Sequence, residues 1–240
     1  MRENAFKVLV GSHNYNLNTA NSDKDYKMFF YPSFEDLYSG EKYSKATTGE
    51  TEDVELHDIR KLPDMLWKSN VNFLEVLFSK EVEEYRAYFN LYKELHSKRE
   101  EIASMNLPYL YDACMGMFHK KKKEFERDIE KSVDWSKVSK HTMSVTRIVD
   151  FLHRYEANNW SFENAIYYSE NEHMRNTLLD IRNGKYETET ELRVFIDGSE
   201  RLLQAIKPVY KSKQTNEEVK EWMYKTVKWE VEEKIFTELQ

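Results

Sequence analysis

The segment that most restricts this chain lies between Phe6 and Tyr31. Phe6-Lys7-Val8-Leu9-Val10 is a short apolar run, and Gly11-Ser12 ends it, which predicts a buried strand followed by a tight turn. Tyr26 to Tyr31 (Tyr-Lys-Met-Phe-Phe-Tyr) predicts a second strand. Between them stands Ser22-Asp23-Lys24-Asp25. Residues two apart on a strand project from one side, so Asp23 and Asp25 face the same way. Carboxylates that close repel each other unless a cation lies between them, and Mg²⁺ prefers such hard oxygen ligands. A strand, a Gly-Ser turn and an Asp-x-Asp in this order therefore predict a divalent-metal site beside a phosphate-sized turn.

Gly11, Ser12, His13, Tyr15, Leu17, Ser22, Asp23 and Asp25 together resemble the polymerase-β-like nucleotidyltransferase superfamily. The resemblance is to its branch of predicted nucleotidyltransferases, whose motif reads close to Gly-Ser-His/Arg-Ala-Tyr-Gly-Leu and then Ser-Asp-x-Asp. Asn14 stands where that branch usually has Ala, and Asn16 where it usually has Gly. Asn tolerates positive φ better than most residues, so Asn16 can hold a turn that Gly would make. The similarity continues through Asp53-Val54-Glu55-Leu56-His57-Asp58 and Asn70-Val71-Asn72-Phe73-Leu74-Glu75-Val76-Leu77-Phe78. It extends to Ser139-Lys140-His141 and to Leu179 through Tyr186, and spans roughly residues 6 to 205.

The resemblance implies a small mixed-sheet nucleotidyltransferase domain over 1–80, followed by an all-helical domain over 81–240, an α+β chain. It implies an enzyme that moves a nucleoside monophosphate from an NTP to an acceptor hydroxyl and releases pyrophosphate, using a two-metal Mg²⁺ site. Asp23, Asp25 and a third acid would hold the metal and carry catalysis. Glu55, flanked by Val54 and Leu56, matches the superfamily's third carboxylate, with Asp53 as the alternate. Gly11 and Ser12 would meet the β- and γ-phosphates, His13 and Tyr15 would line the nucleotide site, and Lys140 and His141 would meet the triphosphate tail, with Arg147 two turns on. The acceptors this implies are a small molecule, a protein or an RNA end. Two other classes stand beside this reading: a catalytically silent nucleotide-binding module, and a nucleic-acid-binding scaffold built on His119-Lys120-Lys121-Lys122-Lys123, a run better explained as a solvated helix face.

Composition narrows the field. A net charge of −7 disfavours long nucleic acid as a partner, since surfaces that grip it are usually basic. Cys114 is the single cysteine, which excludes an intrachain disulfide and suits a reducing cytoplasm. No apolar run approaches the roughly 20 residues a membrane span needs, and Phe6–Val10 is too short for a signal peptide. There is no zinc spacing, no Ser-His-Asp signal and no Walker-type loop.

Six Gly and four Pro in 240 residues favour helix over a turn-rich β architecture. Residues 39–52 are polar with two Gly and predict a surface loop, and Val54–Ile59 a third strand. Helices are expected at Leu62–Lys68, started by Pro63, and through Phe78. The spacing of Val82, Tyr85, Tyr88, Phe89, Tyr92 and Leu95 predicts a helix over Glu81–Ser104. Further helices are predicted over Tyr109–Lys131, Ser139–Asn158, Glu172–Arg182, Glu189–Ala205 and from Thr215 to about Thr237. Ser161 and Thr188 are the expected caps, and Gly184 the expected stop.

Overall fold

The computed structural model describes residues 2–49, 51–85 and 91–238. Two compact units make it up: Met1–Asn106 with Thr215–Gln240, and Leu107–Gln214. The first unit holds the sheet. Strands β1 (Asn4–Val10), β2 (Lys24–Phe30), β3 (Ser44–Thr48), β4 (Glu52–Asp58) and β5 (Val82–Glu84) lie in the order β3-β4-β2-β1-β5. β2 runs antiparallel to β1 and parallel to β4, while β3 and β5 pair antiparallel on the two edges. The sheet is therefore mixed, and the α+β class stands.

β1 and β2 lie inside the sheet and bury residues on both faces: Phe6, Val8, Leu9, Tyr26, Phe29 and Phe30 are all nearly inaccessible. The edge strands are less legible. β3 lies inside the stretch expected to be a loop, and every one of its residues is exposed. It is held by its backbone ladder to β4 and by the Ser44 hydroxyl, 3.3 Å from His57 Nδ1, so no hydrophobic alternation marks it. β5 replaces the start of the helix expected from Glu81. Val82, Glu83 and Glu84 complete the free edge of β1, and that pairing outweighs the helical spacing. Tyr88 and Phe89 lie outside the described residues.

Short helices follow the strands: α1 (Ser12–Tyr15), α2 (Phe34–Tyr38), α3 (Leu62–Trp67, with Pro63 in its first turn) and α4 (Val71–Leu74). The last runs straight into a 3₁₀ turn at Glu75–Phe78. Helices α5 (Leu91–Ser97) and α6 (Arg99–Ser104) also belong to this unit, so it extends beyond the expected boundary at residue 80.

Five helices form the second unit: α7 (Leu107–Glu130), α8 (Trp135–Ala157), α9 (Phe162–Ile166), α10 (His173–Arg182) and α11 (Glu189–Lys211). α8 packs against α7, α10 and α11. It starts a turn before the expected Ser139 because the Asp134 side chain accepts the Ser136 N–H. Thr188 caps α11 as expected, in a reciprocal box with Glu191. α11 continues past Ala205 through Pro208, since Ile206 and Tyr210 prolong its buried stripe and the Tyr210 hydroxyl donates to the Leu152 carbonyl at 2.7 Å. Gly184 takes φ 76° just after α10. Cys114 is fully buried in α7, and burial pushes its thiol up to about 12, so it is a core residue and not a nucleophile.

The final helix, α12 (Glu217–Glu238), returns to the sheet-bearing unit, where it packs on α3, α5 and α6. Val219, Met223, Val227 and Val231 recur every four residues on its buried stripe. Polar ties fix it there. Tyr31 donates to Glu230 at 2.7 Å, and Tyr224 donates to Asp64 at 2.5 Å. The sheet-bearing unit is thus built from both ends of the sequence, which a division at residue 80 does not anticipate. No helix among the described residues is long and apolar enough to cross a membrane.

Candidate active site

The site is assembled where β1 stops. Gly11 takes φ 74°, ψ −152°, a conformation essentially closed to residues with a side chain. Its carbonyl accepts the N–H groups of Asn14 and Tyr15 at 3.0 and 3.1 Å, which starts α1. Asn16 ends that turn in the left-handed region at φ 64°, so it does take the conformation that Gly would supply. Tyr15 and Leu17 then bury beneath the turn.

The following loop delivers the acids. Ser22 folds it back on itself, its hydroxyl accepting the Thr19 N–H at 2.8 Å and its N–H donating to the Thr19 carbonyl at 3.0 Å. His13 Nε2 lies 3.1 Å from the Ser22 carbonyl. His13 therefore clasps the loop that carries Asp23. Asp23 is exposed, one residue before β2, and Asp25 is half-buried as its second residue. Glu81, which the sequence did not single out, anchors both neighbours of Asp25. It accepts the Tyr26 hydroxyl at 2.7 Å and the Lys24 ammonium at 3.4 Å.

Asp25 sits between Val10 on β1 and Asp53 on β4 in the sheet register. Its carboxylate lies so close over Gly11 that a Cβ there would fall 2.5 Å from Asp25 Oδ2. The Gly11 N–H, in turn, donates to Glu75 Oε2 at 2.9 Å. Glu75 is 2% exposed despite its charge. The sequence Leu74-Glu75-Val76-Leu77 sets this acid among apolar residues, but Gly11 lies 64 positions away and no local pattern names it.

Register separates the two candidates for the third acid. Asp53 is the neighbour of Asp25, and Glu55 the neighbour of Lys27, roughly 7 Å further along the strand. Lys27 is buried at 5% exposure and donates to the Glu55 carboxylate, while His57 Nε2 lies 3.3 Å from the same oxygen. These partners, His57 first and then Lys27, hold the Glu55 carboxyl at about 2. Glu55 thus has a structural duty, the neutralisation of a buried ammonium. We expect Glu55→Gln to lower the melting temperature while retaining most activity, and Asp53→Asn to lower activity at least 10-fold with an unchanged melting temperature. Thermal melts and initial rates on the two variants check this.

Lys140 and His141 lie on α8 in the other unit. Lys140 is exposed. The His141 ring is held between two acids of α7, Asp128 Oδ2 at 3.0 Å and Glu124 Oε2 at 3.4 Å. Arg127 and then His141 pull the Asp128 carboxyl down to about 2. In the basic run, Lys121 pairs with Glu124 and Lys122 with Glu200, each at 2.6 Å, so part of its charge is neutralised within the helical unit.

Among the described residues no three His, Cys, Asp or Glu side chains converge tightly enough to cage a metal by themselves. The carboxylates that would hold Mg²⁺ are Asp23, Asp25 and an acid of β4, where Asp53 is the register neighbour of Asp25; all are hard oxygen donors of the kind that ion takes.

A strand closing in Gly-Ser, a turn, and an Asp-x-Asp entering the next strand alongside a parallel acid-bearing strand place the fold among the polymerase-β-like nucleotidyltransferases. Within that class the chain belongs to the RNA repair pathway DNA polymerase beta family, whose model matches residues 4–225. No curated protein matches it. Among solved structures it is similar to a nucleotidyltransferase-like protein from Exiguobacterium sibiricum 255-15. The TM-score is 0.40 at 13% identity, over 87% of this chain and 72% of that one.

Proposed function

We propose that the chain catalyses Mg²⁺-dependent transfer of a nucleoside monophosphate from an NTP to a hydroxyl at an RNA end. The observation that carries this reading is Asp25 held between the Gly11 turn and Asp53. The family's description, which names an RNA repair pathway, supports an RNA end over a small molecule or a protein as acceptor.

In this reading Asp23 and Asp25 hold the metal, which when bound supplies charge neutralisation to the triphosphate and acidity to the acceptor hydroxyl. The acceptor oxygen bonds to the α-phosphorus and the α–β phosphoanhydride bond breaks, so pyrophosphate leaves. Asp53, the acid nearest Asp25 in register, takes the acceptor proton. The Ser12 hydroxyl, on the turn that Gly11 opens, would serve the leaving phosphates as a hydrogen-bond donor. The Gly11 N–H is already committed to Glu75, so Gly11 serves by close approach and not by donation.

Thermal stabilisation by each of the four NTPs, with and without Mg²⁺, tests the nucleotide site. Saturating NTP at about 100 times its Kd adds about 2.7 kcal/mol of stability, a shift of several degrees for a chain of this size. The shift is expected to require Mg²⁺ and to vanish in Asp23→Asn/Asp25→Asn. No shift with any nucleotide would contradict the reading.

A further inference from the structure

We infer that Glu75 is a positioning residue for Asp25, acting through the backbone of Gly11; this rests on the functional reading above. Gly11 is the point where three demands meet. Its N–H donates to Glu75 Oε2 at 2.9 Å, its carbonyl starts α1, and its Cα face receives the Asp25 carboxylate. The backbone at φ 74°, ψ −152° is a conformation that Gly permits but does not enforce, since glycine populates many others about as readily. Something must select it. A buried side-chain oxygen held at that point does so well, because a buried N–H is costly to leave unpaired and no water competes for the bond.

The neighbours of Glu75 act in the same direction. Ser79 donates to the Leu9 carbonyl at 2.7 Å, the Leu9 N–H donates to the Glu81 carbonyl at 3.0 Å, and the Lys80 N–H donates to Asn14 Oδ1 at 3.1 Å. The segment from Glu75 to Glu81 therefore grips the strand end and the turn from both sides of Gly11. Glu75 holds the centre of this clamp, and a shift of the Gly11 backbone would move the surface on which Asp25 rests. Misplacement of a catalytic group by about 1 Å can lower a rate by about 100-fold.

Two conservative variants separate position from charge. Glu75→Gln keeps the length and an acceptor oxygen but loses the charge. Glu75→Asp keeps the charge but withdraws the acceptor by one methylene. The clamp predicts that Glu75→Gln retains kcat within about 3-fold. It predicts that Glu75→Asp lowers kcat at least 10-fold with KM for the NTP within about 2-fold, since binding of the nucleotide does not pass through this bond. The reverse order, with Gln damaging and Asp tolerated, would overturn the inference, as would unchanged kcat in both. Amide exchange at Gly11 reads the bond independently of any activity. It should be slow in the wild type and in Glu75→Gln, and faster in Glu75→Asp. Equal exchange in all three would overturn the clamp. A wild type that transfers no nucleotide but shows this exchange pattern would overturn the functional reading and leave the clamp standing.

Discussion

Asp25→Asn is expected to lower nucleotidyl transfer by about 10³-fold while leaving the melting temperature within a degree or two of wild type. Asn keeps the shape of Asp and retains one oxygen, so the register with Val10 and Asp53 persists. What it loses is the charge that holds a divalent ion. Such an ion stabilises the transition state by several kcal/mol, and about 4 kcal/mol corresponds to three decades in rate. KM for the NTP should rise as well, because Asp25 would hold the ion that neutralises the triphosphate. Initial rates with saturating Mg²⁺, alongside a thermal melt, check both halves of this expectation.

The second large effect is expected at Gly11. An alanine there meets two obstacles at once. Its backbone would have to occupy φ 74°, ψ −152°, which costs on the order of 1–3 kcal/mol for a residue with a Cβ. Its methyl group would also fall 2.5 Å from Asp25 Oδ2, closer than any real contact. Either the backbone shifts and the Glu75 bond breaks, or the Asp25 carboxylate swings away from Asp53. Both routes displace the carboxylate proposed to hold the metal, so transfer should fall about 100-fold or more and the melting temperature by several degrees. Asp25→Asn and Gly11→Ala are thus distinguishable: the first loses activity alone, the second activity and stability together.

Those two positions were the most legible part of the chain because their signals are local. A run of apolar residues ending in Gly-Ser, and acids spaced two apart before a second apolar run, fix turn and face without knowledge of the rest. Thr188 and Gly184 were legible for the same reason, since a cap is read within four residues. What stayed hidden depends on partners distant in sequence. β3 is exposed along its whole length and exists because β4 offers an edge. β5 carries helical spacing yet pairs with β1. α12 shows an apolar stripe, but no stripe says which body it will cover, and this one returns to the sheet-bearing unit.

For the third acid, register and local pattern favour different residues. Glu55 sits between Val54 and Leu56 as the resemblance requires, but the parallel register with β2 sets it beside Lys27, while Asp53 falls beside Asp25. One pairing of two strands, invisible in either strand alone, is what favours Asp53 over Glu55 as the proposed third acid. Glu75 was visible as a charge among apolar residues, and its purpose appeared only when the fold brought it to Gly11.

The most direct test of the central claim is a transfer assay. Short RNAs with free 3′ hydroxyls are incubated with each α-labelled NTP and Mg²⁺, and the RNA mass and the released pyrophosphate are measured for the wild type and Asp25→Asn. The account predicts an RNA longer by one or more nucleotides, stoichiometric pyrophosphate, and loss of both in the variant. Mg²⁺-dependent nucleotide binding with no pyrophosphate from any NTP would contradict it and identify a nucleotide-binding module without transfer activity.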